Sequence, residues 1–280
     1  MASSSPPDEF SPPFIQIDGL DNFRDIGSWP TTTPHVSVRQ NVLYRGPDLG
    51  PITPKGEQEL RDLGIETIFD IRSVPQIERA GGVQEVEGIK RVWCPVFEES
   101  EYTLDKAGLR YTQYASDGTD GIVEAFEEIL RHGAKTTMKP LLEHLASLPT
   151  EGKIPAAMIH CTTGNNRSGV FIGVLLALLG VDDEVVAEEY SLSQVGLQRG
   201  RDMVVDRLMR NPKFREALGE GEEGRKRAER MVGARVESMR DMLKMVQRRW
   251  GGVEGYVREE VGLGDEVIQG LRRVMRVTGE

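Results

Sequence analysis

Two reactive side chains stand close together in the stretch MIHCTTGNNRSGVFIG, residues 158–173. They are Cys161, one of only two cysteines in the chain, and Arg167, which follows after five residues. A thiolate is a strong nucleophile, and a guanidinium is a planar fork that grips two oxygens of an oxyanion. Thr162, Thr163, Gly164, Asn165 and Asn166 lie between them, and Ser168 comes next. The segment KIPAAMIH reads as a buried strand feeding Cys161, and Ser168 to Gly180 is apolar all round, as a buried helix is. A loop closing from a strand onto a helix start aims unpartnered N–H groups at one point and adds the positive end of the helix dipole. Gly164 supplies the backbone angles for such a curl, and residues 162–166 become candidate phosphate binders. A cysteine beneath the anion is stabilised as thiolate, below its free pKa of about 8.5, and can attack phosphorus. Taken alone, Cys161 would more often be an inert buried residue. Strand, glycine, arginine and helix together favour covalent phosphate chemistry. Cys94, in RVWCPVF, has no such setting and reads as core.

The elements that must position these residues lie in a chain of 280 residues with a net charge of −10. Nucleic acids and anionic membranes need a basic face, so the acidic balance argues against both as partners. An anionic substrate must then be held by local arginines. Two cysteines are too few for a disulfide framework and suit a reducing compartment. The chain has no CxxC, and its four histidines are scattered, so metal-ligand spacing is missing. MASSSPPDEFSPPF lacks the basic start and apolar centre of a secretory signal. The longest apolar run, VFIGVLLALLGV, has 12 residues and fits a core helix rather than a membrane span. The expectation is a cytoplasmic protein without stable membrane insertion; its oligomeric state stays open.

Residues 1–13 are Ser/Pro-rich and expected to be disordered, leaving 14–280 as a single domain. VSVRQNVLYRG reads as one strand, and TPKGEQELRDLG as a helix capped by Thr53 and stopped by Gly64. IETIFDIRS and IKRVWCPVF read as strands, and the polar residues 98–120 as a long surface loop. GIVEAFEEILRHG and TMKPLLEHLASL have helical spacing. From about 182 the pattern is almost wholly helical, the last helical segment being GDEVIQGLRRVM, with LGEGEEGRK at 218–226 as a connection. Segment 220–249 reads as a long solvated helix, with Met239, Met242 and Met245 packing on the core. Strands interleaved with helices, then a helical extension over 182–280, give an α/β fold with one sheet.

HCTTGNNRSG resembles the HCX5R(S/T) signature of cysteine-dependent protein tyrosine phosphatases. DNFRDIGSWP at 21–30, VLYRGPDLG at 42–50, GIETIFDIRSVPQIE at 64–78, LGVDDEVVAEEYSLS at 179–193 and GGVEGYVREEVGLGDEVIQGLRRV at 251–274 resemble one branch, the atypical tyrosine/serine phosphatases of bacteria and fungi. The resemblance covers about residues 15–276. It implies a tyrosine phosphatase-like fold with a mostly parallel central sheet flanked by helices, and catalysis with no metal or other cofactor. It makes Cys161 the nucleophile, Arg167 the phosphate clamp and Ser168 the hydroxyl that helps release the thiolate. The substrate it implies is a phosphorylated protein or a small-molecule phosphoester. Family arginines map onto Arg24 and Arg45, which either line the site or pair with Asp25 or Asp70.

For the general acid, SWP at 28–30 is followed by Thr31, so no Trp-Pro-Asp loop is present. The Lys-Asp that family members often carry before the loop arginine is Asn165-Asn166 here. The missing lysine weakens any inference to phosphoinositides, and the missing aspartate leaves Asp70 as the expected donor. Asp70 ends a strand, where open α/β sheets place their sites, though pairing with Arg72 explains it equally well. Three alternatives stay open: a phosphatase of a small metabolite or lipid, a pseudophosphatase that binds without turnover, and sulfur transfer, whose enzymes have different flanking segments.

Overall fold

Every residue of AAMIH is buried, which a strand achieves at the centre of a sheet covered on both faces. This strand, β6 (Ala156–His160), lies in a five-stranded sheet in the computed structural model, which describes residues 13–101 and 104–279. The sheet order is β1-β3-β6-β4-β5, where β1 is Arg24–Asp25, β3 is Leu43–Gly46, β4 is Ile65–Asp70 and β5 is Lys90–Trp93. All neighbours are parallel except β1 and β3. A separate antiparallel ribbon joins β2 (Val36–Val38) to β7 (Arg276–Thr278). The fold is thus the α/β class expected, with a mostly parallel sheet flanked by helices. The expectation for residues 1–12 lies outside the described residues.

Side-chain alternation along β6 sends Ala157 and Ile159, followed by Cys161, into the larger core and Ala156 and Met158 into the smaller one. In β4 a register shift between Ile65 and Thr67 lets Ile65 and Ile68 share the smaller core while Phe69 faces the larger. The helices in chain order are α1 (Pro54–Asp62), α2 (Val74–Arg79), α3 (Leu104–Ala115), α4 (Asp120–Gly133), α5 (Lys139–Ser147) and α6 (Asn166–Leu178). They continue with α7 (Asp183–Ser191), α8 (Ser193–Gly196), α9 (Gln198–Arg210), α10 (Pro212–Leu218), α11 (Gly221–Val232), α12 (Val236–Trp250), α13 (Val253–Tyr256) and α14 (Asp265–Met275). Thr53 caps α1 by accepting the Gly56 N–H, and Gly64 follows the helix at φ 75°, as its stop signal predicts. Helix α6 is buried nearly throughout and packs against α4, α7, α12 and α13.

Four sequence expectations are corrected. Residues 98–120 are not a loop, because α3 runs through them. Its Arg110 stacks 3.7 Å over the Phe97 ring and pairs with Glu128, an inward face masked by the surrounding Gly and Asp. Segment 220–249 is two helices, since Gly233 takes an extended conformation (φ −79°, ψ 171°) between α11 and α12. The proposed connection at 218–226 shrinks accordingly, α11 starting already at Gly221. Residues 36–46 form two strands in different sheets, separated by Asn41 at φ 60°, whose N–H is held by Asp25. After the last helix, Arg276–Thr278 adds the strand that pairs with β2. Met239, Met242 and Met245 are buried, as their spacing predicts. Among the described residues no helix is long and apolar enough to cross a membrane, and no group of three or more His, Cys, Asp or Glu is placed to hold a metal ion.

Candidate active site

Residues 161–165 cross from the C-terminal end of β6 to the start of α6. Their carbonyls are all engaged on the outer side of the turn. His160 Nδ1–H donates to Cys161 O (3.1 Å), Asp48 N–H to Thr162 O (3.1 Å) and Asn22 Nδ2 to Thr163 O (3.0 Å). Arg45 Nη2 donates to both Gly164 O (2.8 Å) and Asn165 O (2.9 Å). In a planar trans peptide the N–H points opposite to the preceding C=O. Five carbonyls drawn outward therefore turn the amides of residues 162–166 inward, as a nest for an oxyanion at a helix start.

Gly164 is indispensable to this curl. Its φ is 69°, and a Cβ added there would lie 2.6 Å from the carbonyl carbon and oxygen of Gly46. Gly164→Ala must push the loop off β3. A misplacement of 1 Å costs about 10²-fold in rate, so kcat/KM is expected to fall at least about 100-fold. Steady-state kinetics against wild type check this, and a loss below threefold would contradict it.

The Cys161 side chain is buried, with Sγ 3.7 Å from Ser168 Oγ. Burial pushes the thiol up, but the Arg167 charge, the N–H and hydroxyl of Ser168 and the N–H of Thr163 outweigh it, so the thiol titrates below its ordinary value. Arg167 is half-buried, and its Nη1 donates to Gln76 Oε1. Gln76 Nε2 donates in turn to Thr162 Oγ1 (3.1 Å). The two asparagines do structural work with their side chains. Asn165 Nδ2 donates to Gly233 O (3.0 Å), tying the loop to the junction of α11 and α12, and Asn166 Oδ1 accepts from the Tyr190 hydroxyl (2.8 Å). Cys94 is buried, with its thiol raised to about 12 by burial.

Three expected site residues lie away from the anion-facing side. Arg24 and Arg45 are fully buried, and both grip Glu189: Arg24 Nε at 2.8 Å and Arg45 Nη1 at 2.7 Å. Their partner is neither Asp25 nor Asp70. Arg45 acts on the loop from behind, through its carbonyls, and Arg24 holds Asn22 Oδ1 (2.7 Å), which positions the amide that grips Thr163 O. Burial and the neighbouring Arg45 lower the Arg24 guanidinium to about 10. Burial also raises the Glu189 carboxyl, but the two arginines more than reverse this and keep it ionised.

Asp70 is the third. It is fully buried; Arg72 binds it through Nε (2.9 Å) and Nη2 (2.8 Å), and Arg91 Nη2 adds a third contact at 2.8 Å. Burial alone would raise this carboxyl; the bonds from Arg72, the nearby His160 and Arg91 hold it well below the usual carboxylate range. These ion pairs favour the ionised carboxylate, the form without a proton to donate, and weigh against the expected general-acid role. The ion-pair alternative with Arg72 is what the structure contains.

Sequence reasoning missed Asn22, Gln76 and Glu189. All three sit inside the matching segments, DNFRDIGSWP, GIETIFDIRSVPQIE and LGVDDEVVAEEYSLS, and none carries the charge pattern of a catalytic group. A signal did exist for Glu189: buried arginines need a buried carboxylate. The sequence does not say which of 45 acidic residues supplies it.

A model of the tyrosine phosphatase family matches residues 15–277. Over 287 aligned residues the chain is 21% identical to the triple specificity protein phosphatase PtpB of Mycobacterium tuberculosis, covering 93% of this chain and 98% of that protein. It is 22% identical over 245 residues to a tyrosine-protein phosphatase of Nostoc commune, covering 84% and 74%. With the family match spanning nearly the whole chain and enclosing the cysteine loop, this protein belongs to the tyrosine phosphatase family and is a protein tyrosine phosphatase-type hydrolase.

Proposed function

We propose that the protein is a cysteine-dependent phosphatase that hydrolyses phosphotyrosine and related aryl phosphomonoesters through a phosphocysteine intermediate, with no metal. The observation that carries this reading is the inward-facing amide nest around a thiol titrating below its ordinary value. In the first step the Cys161 thiolate attacks phosphorus while the amides of 162–166 and Arg167 hold the three equatorial oxygens, and the substrate oxygen departs. In the second, water displaces the sulfur, and the Ser168 hydroxyl stabilises the departing thiolate. Residues 14–280 form the single catalytic unit in this reading, with α7–α14 buttressing the loop.

We infer substrate choice from the lack of a free acid at the three positions considered for the donor, Asp70, Asn165 and Asn166. Asp70 is locked in ion pairs, and neither loop asparagine carries a proton to give. A phenolate, from an acid of pKa about 10, departs far more readily unassisted than an alkoxide. Aryl phosphates therefore come first, and phosphoserine or phosphothreonine should turn over more slowly. The printed triple specificity of the mycobacterial relative is the reason to assay both classes. The test is hydrolysis of p-nitrophenyl phosphate and a phosphotyrosine peptide in EDTA. Turnover insensitive to the chelator is expected; none, from folded protein, would overturn the reading.

Asp70→Asn separates the two roles considered for that residue. It leaves Arg72 and Arg91 without their carboxylate, so stability should fall, by less than the about 3–5 kcal/mol of a fully buried pair because Arg91 is 21% exposed. Its native carboxyl is depressed, so its contribution is complete above about pH 4 and lost as pH falls further. The variant should lack that acid-limb loss in urea titrations. The dependence of kcat on leaving-group pKa should keep its wild-type slope; a steeper slope would restore Asp70 as proton donor.

A further inference from the structure

Of the five arginines around the loop, Arg24, Arg45, Arg72, Arg91 and Arg167, four are held by a carboxylate among the described residues. Glu189 beneath the loop is matched by Arg24 and Arg45, and Asp70 beside it by Arg72 and Arg91. Arg167 is the exception. Among the described residues it makes no ion pair, and the group that holds it is the neutral carboxamide of Gln76. Gln76 is 7% exposed and fixed at both ends of its amide: Oε1 also accepts from Ser73 N (3.1 Å), and Nε2 donates to Thr162 Oγ1 (3.1 Å). It takes Nη1 of Arg167 and leaves the Nε–Nη2 edge, the fork that meets two oxyanion oxygens side by side.

We propose that Gln76 is a positioning residue that orients Arg167 and Thr162 toward the anion while leaving the guanidinium charge unneutralised. A carboxylate at this position would orient the arginine equally well but would cancel the charge that attracts the anion and stabilises the thiolate. The carboxamide thus keeps one cation active in a protein whose net charge is −10. This inference rests on the phosphatase reading only for the identity of the anion.

The test uses sulfate, a dianion throughout the neutral range, with wild type, Gln76→Glu and Gln76→Ala. Sulfate affinity is read by calorimetry. The Cys161 thiol is titrated through the pH dependence of its alkylation by iodoacetamide, to which buried Cys94, raised to about 12, contributes nothing. Gln76→Glu keeps the helix cap, since a carboxylate accepts the Ser73 N–H as the amide does, so a folded protein is expected and its thermal midpoint verifies it. It should weaken sulfate at least tenfold and raise the thiol midpoint by about one unit or more. Gln76→Ala keeps the Arg167 charge but frees its side chain, so it should raise the thiol midpoint less than Gln76→Glu does and lower kcat/KM through a disordered Arg167. A merely structural role predicts the reverse, with Gln76→Glu benign and Gln76→Ala harmful to every readout; that result would overturn the proposal, as would equal shifts in both variants. Neither binding readout needs turnover, so an inactive wild type would strike the phosphatase reading and leave this one standing on its own data.

Discussion

Cys161→Ser is expected to lose turnover by on the order of 10⁴–10⁶ in kcat, the scale on which removal of a covalent nucleophile acts. Serine fits the space of cysteine, but its hydroxyl ionises far above any working pH, and the surroundings that lower the thiol cannot bring an alcohol into range. The amides of 162–166 and Arg167 do not depend on the sulfur, because His160, Asp48, Asn22 and Arg45 hold the loop from its outer side. Phosphate and sulfate affinity should therefore survive within a few-fold. Loss of turnover with binding retained separates a nucleophile from a structural residue, whose replacement would lower both. Turnover within tenfold of wild type would remove Cys161 from the chemistry.

Glu189→Ala carries the largest expected effect on stability. The carboxylate lies at 1% exposure between two guanidiniums at 0%, and removing it leaves two buried cations repelling each other. Breaking a buried pair costs about 3–5 kcal/mol, and a network of this kind belongs at the upper end. For a protein of this size that lowers Tm by roughly 10 °C or more. The consequence reaches the site, because Arg45 places the carbonyls of Gly164 and Asn165, and a relaxed Arg45 lets those peptides turn. Glu189→Gln keeps an acceptor without the charge and should fall between the two. Thermal unfolding of the three proteins checks the order; a Tm unchanged in Glu189→Ala would show that the arginines find other partners.

The loop from Cys161 to Arg167, with the strand before it and the helix after it, is legible in the sequence because it is local. Strand, loop and helix are contiguous, and the helix-start physics that makes a nest acts over a few residues. The full set of partners around Asp70 is not legible, for the opposite reason. Its position at the end of β4 was legible, but its partner Arg91 comes from the neighbouring strand, and that contact depends on a pairing register that periodicity cannot supply. Arg24 and Arg45 were recognised as site-associated, yet which side of the loop they serve is decided by Glu189, more than 140 residues away. The break between α11 and α12 was hidden because Gly233 is one glycine among 31, and its extended conformation goes with a carbonyl contact to Asn165 that only the folded chain creates. Contiguous chemistry was readable; charge partners chosen by the fold were not.

The measurement that tests the central claim most directly is the mass of the Cys161 peptide after an acid-quenched single turnover of p-nitrophenyl phosphate, run in EDTA. A peptide heavier by one phosphoryl group, absent from Cys161→Ser and decaying as inorganic phosphate appears, is the predicted result. Complete hydrolysis with the peptide unmodified at every quench time, together with turnover that survives in Cys161→Ser, would contradict the covalent mechanism.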